Sequence, residues 1–197
     1  LYVHESVADE LTARVLEKIA AIQVGDARRR EHWLGPVINE GAYSNYANYV
    51  QLLRAGGAKL VSGGQQLREG ELERGWYVEP VLAEASLSHP LWKQEMFLPI
   101  VMMHRYRDRD EAMRLANDTD MGLTAGFYGG ADEVPWFQEH IEAGVTYANR
   151  PQGATTGAWP GYQPFGGWKG AGSTGKAIPS FYYLQQYLRE QSRTVVE

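Results

Sequence analysis

The residues of this chain best placed to do chemistry lie in the run 149–176, NRPQGATTGAWPGYQPFGGWKGAGSTGK. Glycine at that density, with prolines and aromatic rings between, breaks both helical and strand periodicity, so the run reads as a shaped loop. Long ordered loops of this kind usually carry function. Successive backbone N–H groups in a glycine-rich turn make a concave anion site, and Thr156 adds a hydroxyl donor. A second group is Gln94-Glu95-Met96-Phe97-Leu98-Pro99, where a carboxylate and an aromatic ring flank a helix-ending proline. Spacing alone favours a helix-to-strand connection there over a functional pair.

Other patterns fail on context. Gly170, Gly172 and Gly175 satisfy G-x-G-x-x-G, with Glu190 at the spacing of a ribose-binding acid. A dinucleotide fingerprint needs a hydrophobic strand before it and a helix and second strand after it. Here Trp168-Lys169 precedes and Pro179 follows. Ser173 lacks the leading glycine of a nucleophile elbow. His4, His32, His89, His104 and His140 form no pair at ligand spacing, so they read as surface or capping residues and no metal is expected. Asn117-Asp118-Thr119 matches a glycosylation acceptor by chance. With no cysteine in the chain, a disulfide scaffold, a thiolate metal site and a thiol nucleophile are all excluded within these residues.

The elements that must position these groups alternate. A short strand at 1–3 leads to a helix over 7–22, with Ser6 and Asp9 at capping-box spacing and Val7, Leu11, Val15, Ile19 and Ile22 on one face. Asn39 caps a second helix whose Tyr43, Tyr46, Val50 and Leu53 share a face until Gly56-Gly57 stops it. Strands are predicted over 59–62, 76–82 and 100–106, followed by a helix over 111–117 that Asp108 can cap. Then come a strand over 123–128, a helix over 133–143 closed by Gly144, and a strand over 145–149 that runs into the glycine-rich loop. Such alternation predicts an α/β fold with an open, twisted, mostly parallel sheet and flanking helices, whose ligands approach at the carboxyl ends of strands. An aromatic segment over 181–188 and a polar, strand-compatible tail over 190–197 close the chain. An unpaired edge of that kind invites another chain.

At 197 residues and 44% apolar content the chain can bury a real core. A net charge of -5, with its basic residues scattered, provides no field for nucleic acid. No stretch approaches the roughly 20 consecutive apolar residues of a membrane span, and no signal peptide is recognisable, so a cytoplasmic protein is expected. There is no internal repeat. The chain begins at Leu1, inside a strand-like run, as a piece of something longer would.

Taken in order, the motifs resemble the catalytic domain of the aldehyde dehydrogenase superfamily. They are Gly35-Pro36-Val37-Ile38, Gly75-Trp76-x-x-x-Pro80, Glu95-x-Phe97-x-Pro99, Leu115-Ala116-Asn117-Asp118-Thr119 with Gly122-Leu123-Thr124-Ala125, and Pro164-Phe165-Gly166-Gly167-x-Lys169. Within it, Thr156-Gly157-Ala158-x-x-Gly161-x-Gln163-Pro164-Phe165-Gly166-Gly167 is most similar to the 1-pyrroline-5-carboxylate dehydrogenases, which oxidise glutamate γ-semialdehyde with NAD in proline catabolism. The resemblance implies that Glu95 hydrogen-bonds the nicotinamide ribose, that Phe97 lies beside the nicotinamide, and that Phe165 lines the aldehyde tunnel. It also implies that Thr156, Gly157 and Ala158 hold the substrate α-carboxylate, and that Asn149 fixes the loop. Leu98 stands where the family has glycine and Ala171 where it has serine.

The same resemblance places the nucleophilic cysteine, the base and the Rossmann domain before Leu1. Residues 1–189 would then be catalytic domain without its nucleophile, and 190–197 an oligomerisation strand of a homo-oligomer. No catalytic residue is assigned within the chain, which alone is expected to be inactive and to bind NAD weakly or not at all. The alternatives are a non-catalytic oligomerisation or regulatory module of the same fold, and a dehydrogenase of another aldehyde.

Overall fold

The structure is a computed structural model that describes residues 1–151, 163–172 and 180–197. It divides into two compact units, Leu1–Arg109 and Asp110–Glu197.

In the first unit, β1 (Tyr2–His4) leads directly into α1 (Glu5–Ala20), and α2 (Glu40–Ala55) is followed by β2 (Lys59–Ser62) and β3 (Gln66–Leu67). After a 3-10 turn over Gly70–Arg74 come β4 (Tyr77–Val78), β5 (Val81–Glu84), a second 3-10 turn over Pro90–Lys93 and β6 (Ile100–Tyr106). The main sheet has the order β1-β6-β5-β2, with β1 and β5 parallel to β6 and only β2 antiparallel.

Strand alternation sends side chains to both faces, and both are buried. Val81, Ala83, Ile100 and Met102 pack with Tyr43, Tyr46, Val50 and Leu53 of α2, while Val3, Leu82 and Met103 pack with Ala8, Leu11, Val15 and Ile19 of α1. This is the mixed α/β architecture, a mostly parallel sheet with flanking helices, that the alternating pattern predicts.

All four residues predicted for the buried face of α2 lie there. Asn39 Oδ1 caps that helix by accepting from Ala42 N at 2.8 Å. At its end Ala58 N donates to Leu53 O and Gly57 N to Arg54 O, with Gly57 at φ 78°; these two bonds make a Schellman stop. Three expectations change. Helix α1 begins before Ser6, because the imidazole Nδ1 of His4 accepts from Ser6 N at 3.3 Å and takes the capping role. Its buried stripe therefore starts at Ala8, and Val7 is half exposed. The strand expected over 76–82 is two strands broken at Pro80, which has no N–H for a ladder; β4 pairs antiparallel with β3, and β5 joins the main sheet.

Helix α3 (Arg109–Asn117) starts on the last residue of the first unit and otherwise belongs to the second, which goes on with β7 (Met121–Gly122), β8 (Thr124–Phe127), α4 (Val134–His140), β9 (Val145–Ala148) and β10 (Trp168–Lys169). Strands β8 and β9 are parallel, and β7 pairs antiparallel with β10. Phe137, Ile141 and Ala143 form the core with Met113, Ala116, Ala125 and Phe127, and the Phe127 and Phe137 rings stack at 5.1 Å. Helix α4 is shorter than predicted, since Ile141 is already extended. The aromatic segment holds a single 3-10 turn, Leu184–Tyr187, and its Phe181, Leu184, Tyr187 and Leu188 are exposed. Residues 190–197 form no strand within this single chain.

Candidate active-site elements

The Glu95–Pro99 segment connects the 3-10 turn at Pro90–Lys93 to β6. Met96 and Leu98 pack against the α2-side core, so Glu95 and Phe97 point outward. Phe97 is 86% exposed and has φ 52°, the left-handed region that costs a bulky residue about 1 kcal/mol or more. Backbone strain of this kind persists only where the surrounding structure holds it in place. The segment is pinned behind it by Val81 N donating to Pro99 O at 2.8 Å and Ile100 N to Leu98 O at 2.7 Å. The left-handed conformation falls on Phe97 and not on Leu98, so a leucine fits where the family has glycine and adds its side chain to the core.

His89 supports the same connection. It is 4% exposed, accepts from Leu91 N at 3.2 Å through Nδ1, and donates through Nε2 to Leu52 O at 3.2 Å, which ties the 3-10 turn to the end of α2. Its ring fills the space where a Cβ on Gly56 would stand, 2.3 Å from Nε2. The sequence marked it as a surface or capping histidine; it caps, and it is buried.

In the second unit the carboxyl ends of β8 and β9 are laced together. Asn149, at φ 50°, accepts from Gly129 N and donates to Gly129 O, both at 3.0 Å, and Tyr128 Oη donates to Arg150 O at 2.9 Å. Asn149 thus ties the end of β9 to the turn after β8; the glycine-rich loop it was expected to fix lies largely outside the described residues. Thr156, Gly157 and Ala158 lie outside the described residues. Phe165 is half-buried and precedes the buried Gly166-Gly167 pair.

A polar clamp closes this segment, and the sequence reading missed it. Lys169 Nζ, at 2.5 Å from each, donates to Asn117 O and pairs with Glu142 Oε2, while Asn117 donates through Nδ2 to His140 O and accepts through Oδ1 from Glu142 N. The signal was present, since Asn117 and Lys169 belong to two quoted motifs, but a motif does not say which of its residues meet. With its Nδ2 committed to His140 O, Asn117 serves this clamp. Ala171 N donates to Trp168 O at 3.1 Å, so backbone alone closes the turn where the family has serine.

The first unit thus presents the exposed Glu95 and Phe97 side by side, and the second ties Asn149 to Gly129 and Lys169 to Asn117 and Glu142. A family model described as the aldehyde dehydrogenase family matches residues 1–192.

The chain belongs to the aldehyde dehydrogenase family.

It is 33% identical over 196 residues to the 1-pyrroline-5-carboxylate dehydrogenase of Bacillus mycoides (strain KBAB4), which covers 98% of this chain and 36% of that relative. The enzyme of the same name from Bacillus subtilis (strain 168) is 30% identical over 197 residues, covering 99% and 36%. Among solved structures, 1-pyrroline-5-carboxylate dehydrogenase from Thermus with bound NAD superposes with a TM-score of 0.85 at 30% identity, covering 96% of this chain and 35% of that one. The 3,6-anhydro-L-galactose dehydrogenase in complex with NAP gives 0.86 at 28% identity, covering 95% and 38%. This aldehyde dehydrogenase chain therefore spans little more than a third of the curated relatives' length. Its described residues hold no cluster of acids and histidines able to bind a metal ion, and no described helix is long and apolar enough to cross a membrane.

Proposed function

We propose that these residues are the carboxyl-terminal part of the catalytic domain of a cytoplasmic, homo-oligomeric, NAD-dependent dehydrogenase. Its reaction is the oxidation of glutamate γ-semialdehyde to glutamate in proline catabolism. What carries this reading is the similarity to 1-pyrroline-5-carboxylate dehydrogenases along 98% of the chain, over a fold that turns Glu95 and Phe97 outward together.

The donor set suits the cofactor. A carboxylate accepts two hydrogen bonds from a ribose diol, and an exposed phenyl ring covers one face of a flat nicotinamide. NAD, when bound, is the acceptor for the hydride that leaves the aldehyde carbon. Glu95 orients the ribose and Phe97 shields the ring from water. Asn149 and the Lys169 clamp hold the two ends of the 150–168 loop, in which Thr156, Gly157 and Ala158 receive the substrate α-carboxylate and Phe165 lines the path of the aldehyde. The reaction needs a nucleophile, and these 197 residues contain no cysteine. A thiolate from outside them must attack the aldehyde, so the chain by itself is inactive.

The test is to read the coding sequence upstream of Leu1, express the extended protein and follow NADH formation with a panel of aldehydes. The expected result is an upstream cysteine and dinucleotide-binding region, highest kcat/KM for glutamate γ-semialdehyde, and a raised KM for NAD in Glu95→Gln. Preference for an aldehyde without an α-carboxylate would overturn the substrate. A start codon immediately before Leu1 with no cysteine-bearing partner would leave the fold as a non-catalytic module.

A further inference from the structure

The first unit contains a cavity of about 480 Å³ between the 24–34 loop and the 70–77 segment, lined by Asp26, Arg28, Arg29, His32, Arg74 and Tyr77 among others. Its volume lies within the ordinary range for small-ligand sites, and its wall is built rather than incidental. Gly25 N donates to Leu34 O at 3.0 Å and Val24 bridges Leu34, which closes the loop at its neck. His32 donates through Nδ1 to Asp26 O at 3.0 Å. Its ring lies 2.4 Å from where a Cβ on Gly25 would stand, so only glycine permits this packing.

Charge inside the cavity is uneven. Asp26 accepts from Arg28 N, Nε and Nη2 at 2.7–3.1 Å, and Glu71 pairs with Arg29 at 3.0 Å. Those two pairs use both carboxylates of the lining. Arg74 is the third guanidinium, and it has no acidic partner among the described residues. It also lines the adjoining cleft with Arg68 and Glu73, and makes no ion pair with Glu73 there. Three guanidiniums against two carboxylates leave one positive charge, together with all five donors of Arg74 and those of Arg28 and Arg29 that face no carboxylate. Planar donors in excess of acceptors match the oxygens of a tetrahedral oxyanion.

We propose that this cavity binds a compact oxyanion of the phosphoryl class, clamped by Arg74 beside Arg28 and Arg29, which their carboxylate partners hold in place. The site does not depend on the dehydrogenase reading.

The folded 197-residue chain is titrated with inorganic phosphate and with pyrophosphate at constant ionic strength, following arginine Nε–H and His32 resonances by NMR. Saturable shifts at Arg28, Arg29, Arg74 and His32 are expected, with Kd weakened about tenfold or more in Arg74→Gln, since a charge-assisted bond is worth at least one factor of ten. Arg74→Lys keeps the charge but not the fork, and is expected to fall between. Arg189→Gln in the tail should bind like the parent. Because Arg74 is exposed, its variants keep the fold, which circular dichroism verifies. A response that does not saturate, that chloride reproduces, or that survives unchanged in Arg74→Gln overturns the proposal.

Discussion

Phe97 shows how one residue can be legible in type and not in posture. The pair Glu95 and Phe97 stands out in the sequence, yet only the packing of Met96 and Leu98 decides that both face outward, and only the backbone shows φ 52° at an aromatic residue. Phe97→Val, which adds β-branching in the left-handed region, should lower stability by roughly 1–2 kcal/mol. Phe97→Gly should remain within about 1 kcal/mol of the parent, because relief of strain offsets the entropy of glycine; urea denaturation of the two variants checks the contrast. Tyr46 is fully buried, with its Oη donating to Glu79 O at 2.7 Å and accepting from Gly64 N at 3.1 Å. Burial of the phenol raises its pKa well above the usual value. Tyr46→Phe leaves both backbone groups without that partner and should cost about 1–3 kcal/mol by the same measurement. Asp26 responds to pH. The Arg28 side chain and backbone hydrogen bonds hold its carboxyl at about 2, below the ordinary 3.8. A depressed acid supports the folded loop above its unfolded pKa and loses that support as pH falls through the folded one. The Asp26–Arg28 pair should thus be intact at neutrality and be lost as pH falls from about 4 to about 2, as a carboxyl carbon NMR titration of Asp26 would show.

Among the elements, the long ones were read closely because their patterns are local. Strands β2 and β6 have the bounds predicted for them, and α2 has its predicted cap, face and stop. The short strands β3, β7 and β10, two residues each, carry no period to read and exist because another segment lies alongside. Gly144 illustrates this. The sequence assigns it to close a helix, whereas α4 has already ended, and what requires glycine is a close backbone approach: a Cβ at 144 would stand 1.7 Å from Gly166 O. Gly144→Ala should therefore separate Gly166 from the β9 entry and destabilise the second unit by about 1–3 kcal/mol, the usual cost of overpacking. Loss of hydrogen-exchange protection at Val145 and Gly144, whose N–H groups donate to Leu123 O and Gly122 O, is the local readout. Gly126→Ala is a poorer probe, since its obstacle is the movable Tyr147 ring.

At the scale of the molecule, two proposals can be measured directly. The isolated chain should produce no NADH from any aldehyde, since no thiol is present to form the thioester. The tail, with Val195 and Val196 about nine-tenths exposed, should drive self-association, so sedimentation should show an oligomer that deletion of 190–197 reduces to monomer; a monomeric parent chain would end that reading. Family and fold class were set by the sequence alone, because ordered motifs and apolar periodicity are properties of neighbouring residues along the chain. Tertiary structure alone decided which faces of Glu95–Pro99 are buried, that Lys169 meets Asn117 and Glu142, and that Arg74 is left over when its neighbouring arginines find their acids. Those outcomes depend on contacts between segments tens of residues apart, and no local pattern encodes the direction in which a side chain finally points.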